Sequence, residues 1–243
     1  MKSLIDNYKE LHKKDSTYGT TSVFLLDQIS LCIDYLRPKT ILDYGCGKGT
    51  LIECLQKKYP DIKCYGYDPA IPERDSLPDD KIDFLINTDV LEHIPSSELP
   101  SVVSQISSIT KNCFFHLHHY AATQILPNGE NAHCTIKPPS WYHELLGRYF
   151  DDISALKSPS ELNSVVITFK LPPLLVLKYN QIIKNNVSKD SIDINHFNML
   201  WKIHKITLKR KMLLYKLLSH ILCGKLAKSY KNKYYGLKKV IYK

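Results

Sequence analysis

One stretch constrains the fold more than any other. The apolar, β-rich run Thr40-Ile41-Leu42-Asp43-Tyr44 leads straight into Gly45-Cys46-Gly47-Lys48-Gly49, and after Thr50 the residues Leu51, Ile52 and Leu55 recur at helical spacing. A strand, a glycine turn and a helix in that order belong to a parallel α/β sheet, because successive parallel strands need a crossover, usually helical. The turn then falls at the carboxyl edge of the sheet, where such folds bind their ligands. Glycine lets the backbone bend there and lie against a ligand with no Cβ in the way.

The spacing of the turn selects among cofactors. A dinucleotide loop reads G-x-G-x-x-G, whereas this one reads D-x-G-x-G-x-G from Asp43. The next strand, Lys63-Cys64-Tyr65-Gly66-Tyr67, ends in Asp68, a carboxylate at a strand tip about 20 residues past the glycines, the place of a ribose-binding acid. A carboxylate accepts hydrogen bonds from both ribose hydroxyls more strongly than a neutral side chain does. On these residues alone, a nucleotide-binding α/β domain of another kind stays open.

The text Leu42-Asp43-Tyr44-Gly45-Cys46-Gly47-Lys48-Gly49, taken with Asp68 and the later Asp89-Val90-Leu91-Glu92-His93-Ile94, resembles the cofactor motifs of class I S-adenosylmethionine-dependent methyltransferases. The resemblance implies a Rossmann-like α/β fold, a mostly parallel seven-stranded sheet with helices on both faces. It further implies that Gly45, Cys46, Gly47 and Gly49 follow the amino-acid end of S-adenosylmethionine and that Asp68, with Pro69 beside it, holds the ribose. Asp43 would lie near the methionine ammonium or order the turn, Asp89 would border the cofactor, and Tyr18 would cover it as a lid residue. S-adenosylhomocysteine would be the product.

At 243 residues the chain has room for one α/β domain and an appendage. Charge divides it: 17 basic residues stand against 22 acidic ones through Leu171, and 16 against 2 from Pro172 onward. A shift of that size marks a change of job along the chain. A methyltransferase domain is therefore expected over 1–171, with a helical lid region over 1–39, and a basic helical extension over 172–243. Residues 1–16 carry mixed charge without the apolar core of a signal peptide, and no apolar run reaches the roughly 20 residues that cross a bilayer. The seven cysteines include no C-x-x-C pair, so neither a zinc ribbon nor a disulfide framework is expected, and the plain reading is a cytoplasmic protein with reduced thiols.

Periodicity places the remaining elements. An amphipathic helix over 23–36 is ended by Pro38, and 69–81, rich in proline and acid, reads as loop. Strands at 82–87 and 113–118 bracket a helix over 98–109, and an insertion over 119–140 contains Asn128-Gly129 and Pro138-Pro139. A helix over 141–150 precedes two closing strands at 152–156 and 165–171, which the resemblance implies form an antiparallel hairpin.

Histidines gather where strand ends converge on the glycine turn: His93 after the third strand of this series, His116, His118 and His119 at the end of the next, and His133 in the insertion. Methyl transfer to a hydroxyl requires an aligned acceptor and a group that takes its proton. His93, His118 and His133 are the candidates for acceptor activation, and His116 reads as a satisfied structural residue. If Asp89 opens a helical turn, Asp89, Glu92 and His93 share one face and make a divalent cation site for Mg²⁺, Mn²⁺ or Zn²⁺. The text D-x-x-E-H is similar to the E-x-x-E-H of ubiquinone-pathway O-methyltransferases and of small-RNA 3′-end methyltransferases. That resemblance implies a metal holding the acceptor hydroxyls, with His118 or His133 as a further ligand. Asp89 is one methylene shorter than glutamate, and a V-L-E-H stretch also occurs in methyltransferases without metal, so both readings stand.

From His196 to Leu222 apolar residues recur at helical spacing with lysines between them, and Trp201 lies within the apolar set. Such a segment can pack on the catalytic domain or on a second subunit to form a homodimer. It can instead lie on an anionic membrane surface or grip nucleic acid. The text Leu213-Leu214-Tyr215-Lys216-Leu217-Leu218-Ser219-His220-Ile221-Leu222-Cys223-Gly224-Lys225, with Tyr230-Lys231-Asn232-Lys233-Tyr234, resembles the carboxyl tails of bacterial glycosyltransferases of capsule and lipopolysaccharide synthesis. Asn131-Ala132-His133 followed by Pro138-Pro139-Ser140-Trp141 resembles methyltransferases encoded among such enzymes. Together these resemblances imply O-methylation of a sugar or sugar-linked group, on a small-molecule or glycan acceptor. The enzyme would be cytoplasmic, peripheral on the inner face of the membrane, with glycan-assembly enzymes as partners. An RNA methyltransferase that clamps RNA with its tail is the alternative enzyme. A non-catalytic module of the same fold, serving membrane or assembly, is the alternative of another class.

Overall fold

The computed structural model describes residues 3–15 and 17–186. The expectations for the segment from His196 onward lie outside the described residues. Helix α1 (Leu4–Lys14) opens the described chain, and a capping box between Ser3 and Asp6 satisfies its first backbone amides. A short 3₁₀ turn, Thr21–Leu25, feeds α2 (Leu26–Leu36), so the helix expected from Val23 begins three residues later. Then follow β1 (Thr40–Tyr44), α3 (Thr50–Lys58), β2 (Lys63–Tyr67), β3 (Phe84–Thr88), α4 (Leu99–Ile109), β4 (Cys113–His118), α5 (Pro139–Gly147), β5 (Ser154–Leu156) and β6 (Asn163–Ile167). A last helix, α6, runs over 173–186.

The strands form one sheet in the order β2-β1-β3-β4-β6-β5. The four on the β2 side pair in parallel, and β6 runs antiparallel to both β4 and β5, which gives the closing hairpin expected. The strand order reverses between β1 and β3, and the crevice at such a switch point is where doubly wound folds hold their ligand. Among the described residues the sheet has six strands where seven were expected. After Asp68 the proline-rich segment has only a 3₁₀ turn, Pro72–Arg74, and no strand adds beyond β2. Proline lacks the amide a ladder needs. The loop covers that edge instead, with Lys63 Nζ 3.3 Å from Asp80 Oδ2 and the Tyr65 hydroxyl bonded to the same carboxylate.

Both faces of the sheet are buried, which explains why β1, β3 and β4 read as continuous apolar runs rather than alternating ones. On one face Ile41, Phe84, Ile86 and Phe114 pack with Ile29, Leu51 and Leu55; on the other Leu42, Leu85 and Phe115 pack with Val103, Ile106 and Leu146. Tyr179 and Ile183 of α6 are fully buried in the first of these cores. The described residues through Lys184 therefore make one compact unit, which continues past the boundary expected at Leu171. Among the described residues no helix is long and apolar enough to cross a membrane, and the six cysteines are free thiols.

Candidate active site

The glycine turn is a tight backbone cradle. Gly45 (φ +87°) donates its amide to Tyr67 O at 2.7 Å, and Cys46 N reaches the same carbonyl at 3.1 Å, which ties the tips of β1 and β2 together. A Cβ on Gly45 would lie 2.2 Å from Val90 Cγ2, and one on Gly47 (φ +50°) would lie 2.7 Å from Gly19 O. Gly45→Ala thus meets both a left-handed backbone and a steric clash, and is expected to destabilise by about 2 kcal/mol, read as a fall of about 4–8 °C in a thermal melt.

Asp68 does two jobs. Its Oδ2 accepts from Gly47 N at 2.9 Å and its Oδ1 from Ala70 N at 2.8 Å, so the carboxylate orders the cradle while its remaining lone pairs stay available. Beyond it opens a cavity of about 780 Å³, and the expected cofactor residues Tyr18, Gly45, Cys46, Gly47, Asp68, Pro69 and Asp89 all line it. Asp43 and Gly49 do not. Asp43 points into the interior beneath the turn, where neither carboxylate oxygen has a partner, and burial with the nearby Asp68 charge pushes its pKa up to about 7. Gly49 is the residue that opens α3.

The far end of the cavity carries the histidines, and it is organised differently from the pattern expected. Asp89 does not open a helical turn: it stands alone at the end of β3 with φ +58°, and the 3₁₀ turn covers only Leu91–His93. Asp89, Glu92 and His93 therefore do not form one ligand set. Asp89 Oδ1 takes a hydrogen bond from His116 Nδ1 at 2.5 Å and faces His118 Nε2 at 3.0 Å. Burial pushes the Asp89 carboxyl up, and the two histidines more than offset this, leaving it well below the usual carboxylate range. His116 is buried and also accepts from Asn163 Nδ2 at 3.3 Å, so it is satisfied within the structure as expected.

Glu92, His93 and His133 make a second group, with one ligand atom from each lying within 4.8 Å of the others. Glu92 is fully buried; its Oε1 accepts from His118 N at 3.1 Å, while Oε2 has no partner. Burial, and then the Asp89 charge, hold the Glu92 carboxyl well above its ordinary pKa. Both histidines are anchored through Nδ1 to backbone carbonyls: His93 to Ala132 O at 2.9 Å and His133 to Tyr120 O at 2.6 Å. A carbonyl can only accept, so Nδ1 carries the proton in each ring and Nε2 keeps its lone pair, as metal-ligating histidines do. Burial and the neighbouring His133 lower the His93 pKa to about 4, and burial lowers His133 likewise, so both rings are neutral. A buried carboxyl with one unpartnered oxygen and two neutral imidazoles, with one ligand atom of each within 4.8 Å of the others, make a donor set that fits a divalent cation.

The insertion puts His133 there. Asn131 Oδ1 accepts from Ala122 N and His133 N, each at 2.9 Å, and its Nδ2 donates to Ala122 O at 2.8 Å. The segment turns at Gly129 (φ +87°) and returns along itself through Leu126 N to Glu130 O and Ala132 N to Gln124 O. Two site residues lie outside the sequence expectation. Tyr8, in α1, donates its hydroxyl to Ala132 O at 2.6 Å and sits 3.1 Å from His93 Nδ1. His12, four residues on, also lines the cavity. Their separation of one helical turn was the available signal.

A family described as a methyltransferase domain matches the chain over residues 23–154, more than half its length. The chain belongs to this methyltransferase family. Its cradle, its Asp68 and the cavity between them fit S-adenosylmethionine. No curated protein matches it. Among solved structures, this methyltransferase is similar to human N-acetylserotonin methyltransferase in complex with SAM, at 15% identity and TM-score 0.45, covering 70% of this chain and 57% of that one. The methyltransferase domain of bacterial CtHen1 gives 17%, 0.45, 60% and 98% for the same quantities, and an O-methyltransferase family protein from Burkholderia thailandensis gives 11%, 0.42, 61% and 58%. The chain spans a little over half the length of the first and last of these three.

Proposed function

We propose that this methyltransferase O-methylates a hydroxyl of a sugar or sugar-linked acceptor in the synthesis of a surface glycan such as capsule or lipopolysaccharide. The observation that carries this reading is the Glu92, His93 and His133 group, whose two imidazoles line the cofactor cavity while Glu92 is fully buried. His93 and His133 line the cavity as neutral imidazoles, with the Glu92 carboxyl within 4.8 Å of them. Bound S-adenosylmethionine supplies an electrophilic methyl group. A Mg²⁺ or Mn²⁺ ion held by these three residues would polarise the acceptor hydroxyl and lower its pKa.

His118 completes the arrangement. Its Nε2 faces Asp89, and its Nδ1 is buried without a partner. A ring oriented by a carboxylate in this way is suited to take the hydroxyl proton as the oxygen accepts the methyl. The cavity also speaks to the acceptor's charge. Among the described residues no lysine or arginine lines it, whereas Asp15, Asp68, Asp89 and Glu98 do. Such walls suit a neutral polyol better than a phosphate backbone. In this reading the basic segment from His196 onward would hold the enzyme on an anionic membrane surface, beside the glycan-assembly enzymes.

A labelled-methyl transfer assay tests the reading. Nucleotide sugars and capsule or lipopolysaccharide extracts are expected to take up label, with loss on chelation and recovery on adding Mn²⁺ or Mg²⁺. Label entering RNA while every glycan stays unlabelled would replace this acceptor with the RNA alternative. Transfer that ignores chelation would remove the ion and leave His118 as the working base.

A further inference from the structure

The N-terminal helix does more than roof the cavity. Leu4, Tyr8 and His12 follow one another at i, i+4 and i+8 on α1, and all three line the cavity. Tyr8 reaches the histidine end, as described above. His12 lies over the glycine turn, where a Cβ on Gly19 would sit 2.8 Å from its Cε1 while Gly19 itself rests against Gly47. Its ring packs edge-on to Tyr18 with centroids 4.9 Å apart. Its Nδ1 is buried and has no hydrogen-bond partner in the protein. Buried polar nitrogens are nearly always paired, so a partner from the ligand is the expected resolution.

We propose that His12 is a cofactor-binding residue, its imidazole hydrogen-bonding the ribose part of S-adenosylmethionine, the part assigned to Asp68. His12 feels the Asp68 charge, and burial keeps its pKa low, so the ring is neutral and carries one donor and one acceptor, as a vicinal diol requires. The inference rests on the cofactor assignment and is independent of the acceptor. It gives α1 a paired role, with His12 on the methyl donor and Tyr8 beside the groups that face the methyl acceptor.

The test is calorimetric binding of S-adenosylhomocysteine to the full chain, without turnover. His12→Ala is expected to weaken binding about tenfold, the loss of one hydrogen bond. The ligand-free melting temperature should stay at the wild-type value, and His12→Gln, which keeps a donor and an acceptor, should recover part of the affinity. Lys13→Ala, on the exposed side of the same helix, should bind as wild type does. Unchanged affinity in His12→Ala overturns the proposal. So does a loss that tracks a lowered melting temperature and is not rescued by glutamine, because that pattern belongs to a helix that has come off the domain.

Discussion

Asp68→Ala is expected to abolish S-adenosylmethionine binding at ordinary assay concentrations. The change removes two things at once. The carboxylate no longer accepts the Gly47 and Ala70 amides, which leaves the cradle to find another shape, and the ribose loses its charged acceptor. Hydrogen bonds to charged groups contribute about 1.5–3 kcal/mol each, so even one unreplaced ribose contact weakens binding by at least about tenfold, and two by about a hundredfold or more. Calorimetry with S-adenosylhomocysteine reads this directly. Asp68→Asn separates the contributions: it keeps an oxygen for the amides but not the charge, and should lie between wild type and alanine. Equal affinity in wild type and Asp68→Ala would place the ribose elsewhere.

Glu92→Gln is expected to have the other large effect, and it acts on the proposed ion. Altering partners outside the ligand shell already costs 10–100-fold in metal affinity or activity, so neutralising the single acidic ligand should lower methyl transfer by at least about a hundredfold. Stability should move the other way in the ligand-free protein. The Glu92 carboxyl has a folded-state pKa well above its ordinary value, so the folded protein loses stability as pH rises through that interval. Glutamine removes this penalty, and the variant should melt at or above wild type at pH 8. Mn²⁺ should then reverse the order, since an ion at a hundredfold excess over its dissociation constant adds about 2.7 kcal/mol to wild type and nothing to a chain that cannot hold it.

His93 gives the same site an acid limit. Its folded-state pKa near 4 lies below the ordinary value of 6.5, so between these values the unfolded chain binds the extra proton. Stability contributed by the neutral ring is complete above about pH 6.5 and is lost as pH falls toward 4. Protonation also removes the lone pair a cation needs, so Mn²⁺ stabilisation should fade over the same range. A melt series from pH 8 to pH 4 with and without Mn²⁺ checks both statements, and an Mn²⁺ effect that persists at pH 4 would separate the ion from His93.

Much of the cofactor half was legible in the chain, because local chemistry writes it. The glycines at 45 and 47, the carboxylate at the tip of β2 and the helix that follows are short-range features whose spacing alone places them together. The acceptor half was legible by residue type and not by grouping. His93 and His133 are 40 positions apart, and what brings them together is the amide of Asn131 and the turn at Gly129, contacts that no periodicity announces. Asp89 misled because D-x-x-E-H suggests one helical face, while the backbone at 89 is left-handed and sends that side chain to His116 and His118. His12 and Tyr8 were hidden for a further reason. An amphipathic helix shows which side is buried but not what is buried against it.

The Asn131 anchor divides the labour of the molecule between two kinds of architecture. The methyl donor rests on strand tips, which the whole sheet holds in place. His133 instead rides on the insertion, which Asn131 ties together and whose Ala132 carbonyl meets Tyr8 of α1 and His93. The outer turn of the insertion at Gly129, where an added Cβ would meet nothing within 4 Å, can change while the strand tips and the two cores on the faces of the sheet stay as they are. On the proposed reading, the acceptor end is thereby the part of the site that a rebuilt loop would change.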